Sequence, residues 1–332
     1  MRGDSKRVLV LGATGTIGRA TLSALVEAGH EAVGFARPGA AARAIAARLP
    51  HGASLRFGNI TDPASLRDDG LKGEPFDALI SCLASRSGAP QDAWRIDHRA
   101  TCDAIDTARG AGIRLVVLLS AICVQRPKLA FQQAKRAAET TLIGSGLDYV
   151  IVRPTVFFKS LAGQIERIRR KKPYLLFGDG RLTACKPISD RDLARFLCNC
   201  VTDRARWNRI LPVGGPGPAV TPRELGDWLF RRLETPARFR SVPPRLLDGI
   251  IAGLSLAGTL SPSLAQKAEL ARIGRYYATE SMLVLNPQTG CYDATATPSF
   301  GTERIFDFFE TVIAEGHSVD LGEHAVFSPR DA

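Results

Sequence analysis

The chain has 332 residues, 45% of them hydrophobic, which suits one large α/β domain or a core with a second lobe. Its 44 Lys and Arg against 33 Asp and Glu give a net charge of +11, which fits an anionic small molecule, an anionic lipid surface or a solvated face. No helix-turn-helix, zinc-finger or RNA-recognition signature accompanies that charge, so nucleic acid is not an expected partner.

Seven cysteines (Cys82, Cys102, Cys123, Cys185, Cys198, Cys200 and Cys291), odd in number and without a Cys-x-x-Cys pair, indicate a reducing, cytoplasmic compartment and speak against an iron–sulfur cluster. His30, His51, His98, His317 and His324 lack ligand spacing, so no metal is expected. Met1–Arg7 is short and polar, so no signal or transit segment is expected, and no apolar run is long enough to span a bilayer as a helix.

In chain order, short apolar runs alternate with helical patterns, as βαβ units require. Strands are expected at 7–11, 31–36, 54–57, 77–82, 113–120 and 148–152, and helices at 16–28, 40–49, 92–110 and 128–143. The expected fold is α/β: a Rossmann-type doubly wound parallel sheet with a smaller, mostly helical C-terminal substrate lobe. Residues 1–155 would form the NADP-binding core, with added strands from about 185–215, and 156–332 the lobe. Beyond Pro154 the rhythm loosens. Helices are expected at 162–172 and 190–201, and a strand at 209–213. Thr221-Pro-Arg-Glu224 opens a further helix with a capping box and Pro at its first position. The apolar segment 245–260 is open to two readings, a core helix or a substrate lid or membrane contact.

Gly12-Ala-Thr14-Gly15-Thr16-Ile17-Gly18 follows the first strand directly and opens a helix. Glycines there allow a tight turn and close backbone approach, and the helix N-terminus faces a pyrophosphate. An NAD site would place an acid at the end of the second strand. Here Arg37 stands there, ready to pair with a 2′-phosphate, so the expected cofactor is NADPH. By topology, Asn59 and Ile60 end the third strand beside the adenine, and Cys82, Leu83 and Ala84 end the fourth beside the ribose–nicotinamide link. Ser120, Pro154 and Thr155 close the set at the ends of the fifth and sixth strands.

The catalytic end departs from the usual pattern. Phe131-Gln-Gln-Ala-Lys135 stands where a short-chain reductase carries Tyr-x-x-x-Lys. A phenyl ring has no hydroxyl with which to protonate a carbonyl oxygen. Routine ketone chemistry is therefore disfavoured, and reduction of a carbon–carbon double bond, or cofactor binding without catalysis, is favoured. Lys135 is the candidate catalytic residue, placed to orient the nicotinamide ribose. Phe131, Phe157 and Phe158 are candidates to line an apolar pocket. No Gly-x-Ser-x-Gly elbow points to a hydrolase.

Several longer stretches carry a resemblance: Leu118-Leu-Ser-Ala-Ile-Cys-Val-Gln125, Arg153-Pro-Thr-Val-Phe-Phe-Lys-Ser160, Phe177-Gly-Asp-Gly180, Ala184-Cys-Lys-Pro-Ile-Ser189, Leu211-Pro-Val-Gly-Gly-Pro-Gly217 and Ile273-Gly-Arg-Tyr-Tyr-Ala-Thr-Glu-Ser-Met282. In these the chain resembles the NADPH-dependent 3,8-divinyl (proto)chlorophyllide 8-vinyl reductases, atypical short-chain reductases related to isoflavone-reductase-like proteins. The resemblance covers most of residues 7–325, and Phe before x-x-x-Lys agrees with it. It implies reduction of the 8-vinyl group of a divinyl tetrapyrrole, a Mg-chlorin or porphyrin, to ethyl in chlorophyll or bacteriochlorophyll synthesis. It implies water or Lys135 as proton source, with Tyr276 or Tyr277 as further candidates. A substrate propionate would suit Arg167, Arg169, Arg170, Lys171 and Lys172. The location it implies is cytoplasmic, with a peripheral contact at a photosynthetic membrane as an open alternative. An isoflavone-reductase-like ene-reductase on another aromatic substrate and a non-catalytic NADP-binding regulator are the alternatives.

Overall fold

A computed structural model describes residues 5–259 and 261–315. Met1–Asp4, Leu260 and 316–332 lie outside the described residues; His317, His324 and the end of the 245–260 segment fall there. The chain divides into two compact units. The first comprises Met1–Ser85, Pro90–Pro154 and Asp190–Pro212, and the second Arg86–Ala89, Thr155–Ser189 and 213–332.

The first unit starts with β1 (Arg7–Leu11), α1 (Thr16–Glu27), β2 (Glu31–Ala36), α2 (Ala40–Ala46) and β3 (Ala53–Phe57). A short turn of helix, α3 (Pro63–Ser65), runs into a π-helical stretch at Leu66–Leu71, and β4 (Ala78–Ser81) follows. The next helical region has three parts: α4 (Pro90–Ala93), a π-helical stretch at Trp94–Ala100, and α5 (Thr101–Gly110). Then come β5 (Leu115–Leu119), α6 (Ala130–Ile143) and β6 (Asp148–Pro154).

The second unit carries α7 (Phe158–Leu161), α8 (Gly163–Arg169) and β7 (Tyr174–Phe177), and α9 (Asp190–Thr202) and β8 (Arg209–Val213) return to the sheet. Its remainder holds α10 (Pro222–Arg232), β9 (Phe239–Val242), α11 (Pro244–Gly258), α12 (Pro262–Tyr277), the short β10 (Val284–Leu285) and β11 (Tyr292–Asp293), and α13 (Ile305–Glu315).

The main sheet has strand order β3-β2-β1-β4-β5-β6-β8. The pairings from β3 through β6 are parallel, with Leu9 opposite both Val33 and Leu79. Strand order reverses between β1 and β4, and ligands of this architecture lie outside the carboxyl ends of the strands at that switch point. All five residues of β5 are buried, as expected of a central parallel strand covered on both faces. Leu9, Leu11, Val33, Leu79, Ile105, Val116 and Ile151 form one buried cluster on one side of it. Each such side chain contributes about 1.5–3 kcal/mol by leaving water, so the interior of this sheet outweighs any single polar contact at its rim.

The structure differs most from expectation at four places. The region 92–110 is not one regular helix, because a π turn interrupts it. Helix 40–49 stops at Ala46. Helix 162–172 is confined to Gly163–Arg169, and Lys171 just beyond it takes a left-handed φ of 59° that ends the helical path. The core-helix reading of 245–260 is overturned, since α11 has no buried residue. It forms a hairpin with α12 instead. Arg275 Nε donates to Asp248 at 2.8 Å, Arg272 donates to Ser255 Oγ at 2.7 Å, and an added Cβ on Gly258 would lie 2.9 Å from Ala265 Cα. Leu246, Gly249, Ile250, Ala252, Gly253 and Leu256 on its other side remain exposed.

Candidate cofactor site and its lysine

Gly12 turns the chain out of β1 with a φ of +71°, and an added Cβ would lie 2.5 Å from the Cys82 carbonyl oxygen at the end of β4. Only glycine fits there on both counts. A Cβ on Gly18 would overlap the Gly12 carbonyl, so the first turn of α1 can sit this close to the β1 exit only without a side chain. Gly15 is different. Its φ of −70° and ψ of 166° suit any residue, and the nearest atom to an added Cβ is Gly12 O at 3.3 Å. The fold constrains position 15 far less than 12 or 18, and its backbone is exposed.

Gly15 is also the N-cap of α1, no side chain caps that helix, and its first turn holds no acid. Uncapped amide N–H groups and the positive end of the helix dipole make a site for a pyrophosphate. Ala13 and Ile17 are buried beneath this turn, while Thr14 and Thr16 are half-buried on it. These features fit a dinucleotide.

Around the turn stand the other expected residues of the first unit. Arg37 is exposed just past β2, and it has no ion pair among the described residues. Asn59 Oδ1 accepts from the backbone N–H and the hydroxyl of Thr61, at 3.1 and 2.9 Å, so its side chain shapes the turn after β3. Ile60 packs on the buried cluster. Leu83 is buried and Ala84 exposed beyond β4. Burial pushes the Cys82 thiol up to about 12, against smaller opposing effects of Thr21 and Lys135, so Cys82 offers no thiolate.

Phe131 and Lys135 lie one turn apart on the same face of α6, both half-buried. Lys135 Nζ donates to the Leu83 carbonyl oxygen at 3.2 Å and pairs with Asp97 Oδ1 at 3.0 Å. Asp97 is only 2% exposed, and its two carboxylate oxygens each lie 3.3 Å from the Ser85 backbone nitrogen. Ser120, expected near the cofactor, donates to Glu139 Oε1 at 2.6 Å. Arg153 Nε donates to the same oxygen at 2.9 Å and its other nitrogen pairs with Oε2, so Glu139, 1% exposed, is held in a buried ion pair.

Asp97, Glu139 and Arg153 were not among the residues singled out from sequence. The readable signal for Asp97 was an acid on the otherwise small, apolar buried stripe Ala93, Ala100, Ala104 and Ala108.

The expected residues of the second unit have packing roles. Phe158 is buried with its ring 5.5 Å from that of Phe308, and Tyr276 is buried edge-on to Tyr277 at 5.7 Å. Thr155 donates its hydroxyl to the Lys186 carbonyl and its N–H to Val213 O. Phe157 is only half-buried. Of the basic cluster, Arg169 donates to the Ile313 carbonyl at the C-terminal end of α13 at 2.7 Å, Arg170 pairs with Glu166 at 2.8 Å, and Arg167 reaches the Pro173 carbonyl at 3.4 Å. Lys171 and Lys172 are exposed beside them.

A family described as NAD(P)H-binding matches residues 12–204. The divinyl chlorophyllide a 8-vinyl-reductase of Oryza sativa subsp. indica is 46% identical over 333 residues, spanning 96% of this chain and 82% of that protein. The chain belongs to the divinyl chlorophyllide a 8-vinyl-reductase family. The relative of that name from Arabidopsis thaliana is 42% identical, over 95% of this chain and 79% of its own length. In fold, the chain is similar to an NADPH-dependent quinone oxidoreductase of Escherichia coli, with a TM-score of 0.67 at 17% identity over 92% of this chain and 99% of that one.

The glycine geometry separates two substitutions. We predict that Gly12→Ala destabilises the protein by several kcal/mol, given the strained φ and the backbone clash (~1–3 kcal/mol for the φ alone), as read by chemical denaturation. Gly15→Ala is expected to leave the unfolding midpoint close to wild type while weakening NADPH at least about tenfold, a loss of ~1.4 kcal/mol. Equal stability losses in both variants, with NADPH affinity intact in the second, would remove the ligand argument for Gly15.

Proposed function

We propose that this protein binds NADPH at the β1–α1 turn and reduces the 8-vinyl group of divinyl chlorophyllide a, or of its protochlorophyllide precursor, to ethyl. The observation that carries the reading is identity of 42–46% along nearly the whole chain to reductases named for that reaction. The residues present support it. NADPH, when bound, supplies the hydride. The helix N-terminus at Gly15 holds its pyrophosphate, and Arg37 its 2′-phosphate. Lys135 carries three N–H donors, of which Asp97 and Leu83 O take two. The third is left for the nicotinamide ribose.

Phe131, one turn before Lys135, presents an apolar ring where a carbonyl reductase needs a phenol. An alkene has no oxygen to protonate; after hydride reaches one vinyl carbon, the other carbon takes its proton from water or the Lys135 ammonium, so the phenol is not required. Asn59, Ile60, Cys82, Leu83, Ala84 and Ser120 contribute backbone or support at the ends of β3, β4 and β5, and Pro154 and Thr155 do so after β6. The second unit is the lobe we assign to the pigment. Phe157, half-buried, is the member of its aromatic pair available to a flat guest, while Phe158 and Tyr276 are committed to packing. Lys171 and Lys172, exposed beside α8, suit a propionate.

We assign the outward side of α11 to a peripheral contact with a photosynthetic membrane. Among the described residues no helix is long and apolar enough to cross one. The face formed by Leu246, Gly249, Ile250, Ala252, Gly253 and Leu256 carries no charge, and Leu256 is 75% exposed. Exposed Arg238, Arg240 and Arg245 lead into the helix with no acid between them, which matches anionic headgroups.

Three measurements test these assignments. Purified protein with NADPH and divinyl chlorophyllide should yield the 8-ethyl product by chromatography; a folded, NADPH-binding preparation that gives none sinks the substrate assignment. Arg37→Ala should weaken NADPH by about 10- to 100-fold, the loss of one charge-assisted contact (~1.5–3 kcal/mol), and leave NADH nearly unchanged. The same loss for both cofactors would contradict the 2′-phosphate role. Vesicles rich in anionic lipid should float wild-type protein, and Ile250→Glu with Leu256→Glu should abolish that flotation; equal flotation of both proteins would rule out α11 as the contact.

A further inference from the structure

Lys135 is not an isolated helix lysine. Its ammonium sits between two groups supplied by other parts of the first unit, the Leu83 carbonyl beyond β4 and the Asp97 carboxylate on the π-helical turn Trp94–Ala100. That carboxylate also lies 3.3 Å from the Ser85 backbone nitrogen through each oxygen, so it ties down the Leu83–Ser85 segment as well. One buried side chain therefore sets the positions of two elements at the carboxyl ends of the strands. We propose that Asp97 is a positioning residue for the reductase reaction: it fixes the Lys135 ammonium, and the Leu83–Ser85 backbone with it, in the geometry that receives the nicotinamide ribose.

The placement argues for this role on three counts. A fully buried carboxylate is costly unless paired, and Asp97 has its partners within its own unit. A regular helix over 92–110 would need no π turn, and such turns, which widen the helix by one residue, recur at functional sites. Asp97, Thr101, Leu118, Ser120, Lys135 and Ala138 close on one another around the end of β5, and Ser120 joins this group to the buried Glu139–Arg153 pair. With two of three donors held, the Lys135 Nζ has one direction left to offer a ligand. A displacement of about 1 Å in such a group costs on the order of 100-fold in rate.

The inference rests on the reading that Lys135 touches the cofactor, and the affinity arm of its test does not need the pigment. Asp97→Asn, Lys135→Met and the double variant form a double-mutant cycle read in NADPH affinity by fluorescence titration and, with divinyl chlorophyllide, in kcat and KM. Asp97→Asn keeps an acceptor for the Ser85 N–H but loses the ion pair with Lys135, so its melting temperature should fall, and its kinetics and affinity are read well below that transition. Its kcat should fall about 10- to 100-fold with little change in pigment KM, and its NADPH affinity several-fold. In the Lys135→Met background, the same change should cost less than about twofold more, because its effect runs through the lysine.

Multiplying losses in NADPH affinity, or a kcat for Asp97→Asn within twofold of wild type, would overturn the proposal. Should Asp97→Asn not fold, Asp97→Glu decides the matter. It keeps the charge and shifts it by one methylene, so a positioning role predicts a folded protein with kcat at least tenfold down, whereas wild-type kcat would show that only charge balance matters. Wild-type protein that binds NADPH yet leaves the pigment unreduced would defeat the substrate assignment while leaving the affinity cycle fully readable.

Discussion

The site in the first unit depends on one steric constraint, the near-contact of three backbone segments at the point where strand order reverses. The exit of β1 at Gly12, the end of β4 at Cys82 and the first turn of α1 at Gly18 approach more closely than any side chain allows. The N-terminus of α1 at this approach carries no side-chain cap. The anion site is thus a by-product of packing: the glycines are there so that the sheet and helix can meet, and the open amides follow. Gly15 is less constrained by that packing than Gly12 or Gly18, with the nearest atom to an added Cβ 3.3 Å away.

Around this turn the polar groups fall into two buried assemblies. One joins Asp97, Lys135, Leu83 and Ser85; the other joins Ser120, Glu139 and Arg153. Both mount charges on α6 or against it, and Glu139 stands among the buried residues of that helix, Ala134, Ala138 and Leu142. A low-dielectric setting makes such groups costly if any partner is lost, and also holds them with little freedom. Ser120, which occupies a catalytic position in ordinary short-chain reductases, is here occupied by a glutamate. Phe131 has lost the phenol. The two features agree: neither a phenol nor a free serine hydroxyl stands beside Lys135, while the glycine turn of the nucleotide-binding family is present.

Much of this was legible along the chain. The β1–α1–β2 segment could be bounded closely because hydrophobic runs, glycine spacing and helix length all point the same way, and β2 is found at the expected 31–36. The capping box at Thr221 likewise forms as its four residues imply. The regions that defied sequence reasoning did so for identifiable reasons. A π turn leaves the apolar pattern of 92–110 nearly unaltered, so nothing local announces it. The apolar content of 245–260 resembles that of a core helix, since composition does not say whether a partner surface exists. The basic run at 167–172 reads as an anion site until the C-terminal carbonyls of α13, more than 140 residues away, are found beside Arg169.

By itself, then, the amino-acid order determined the doubly wound class, the nucleotide turn, the family and the absence of a phenolic acid beside Lys135, because each is written in local spacing or in the chemistry of single residues. Only the tertiary structure decided which charges are spent internally and which are left to a ligand. Asp97, Glu139 and Arg169 find partners across long stretches of chain, and whether a charged side chain is free is a property of what the fold places next to it.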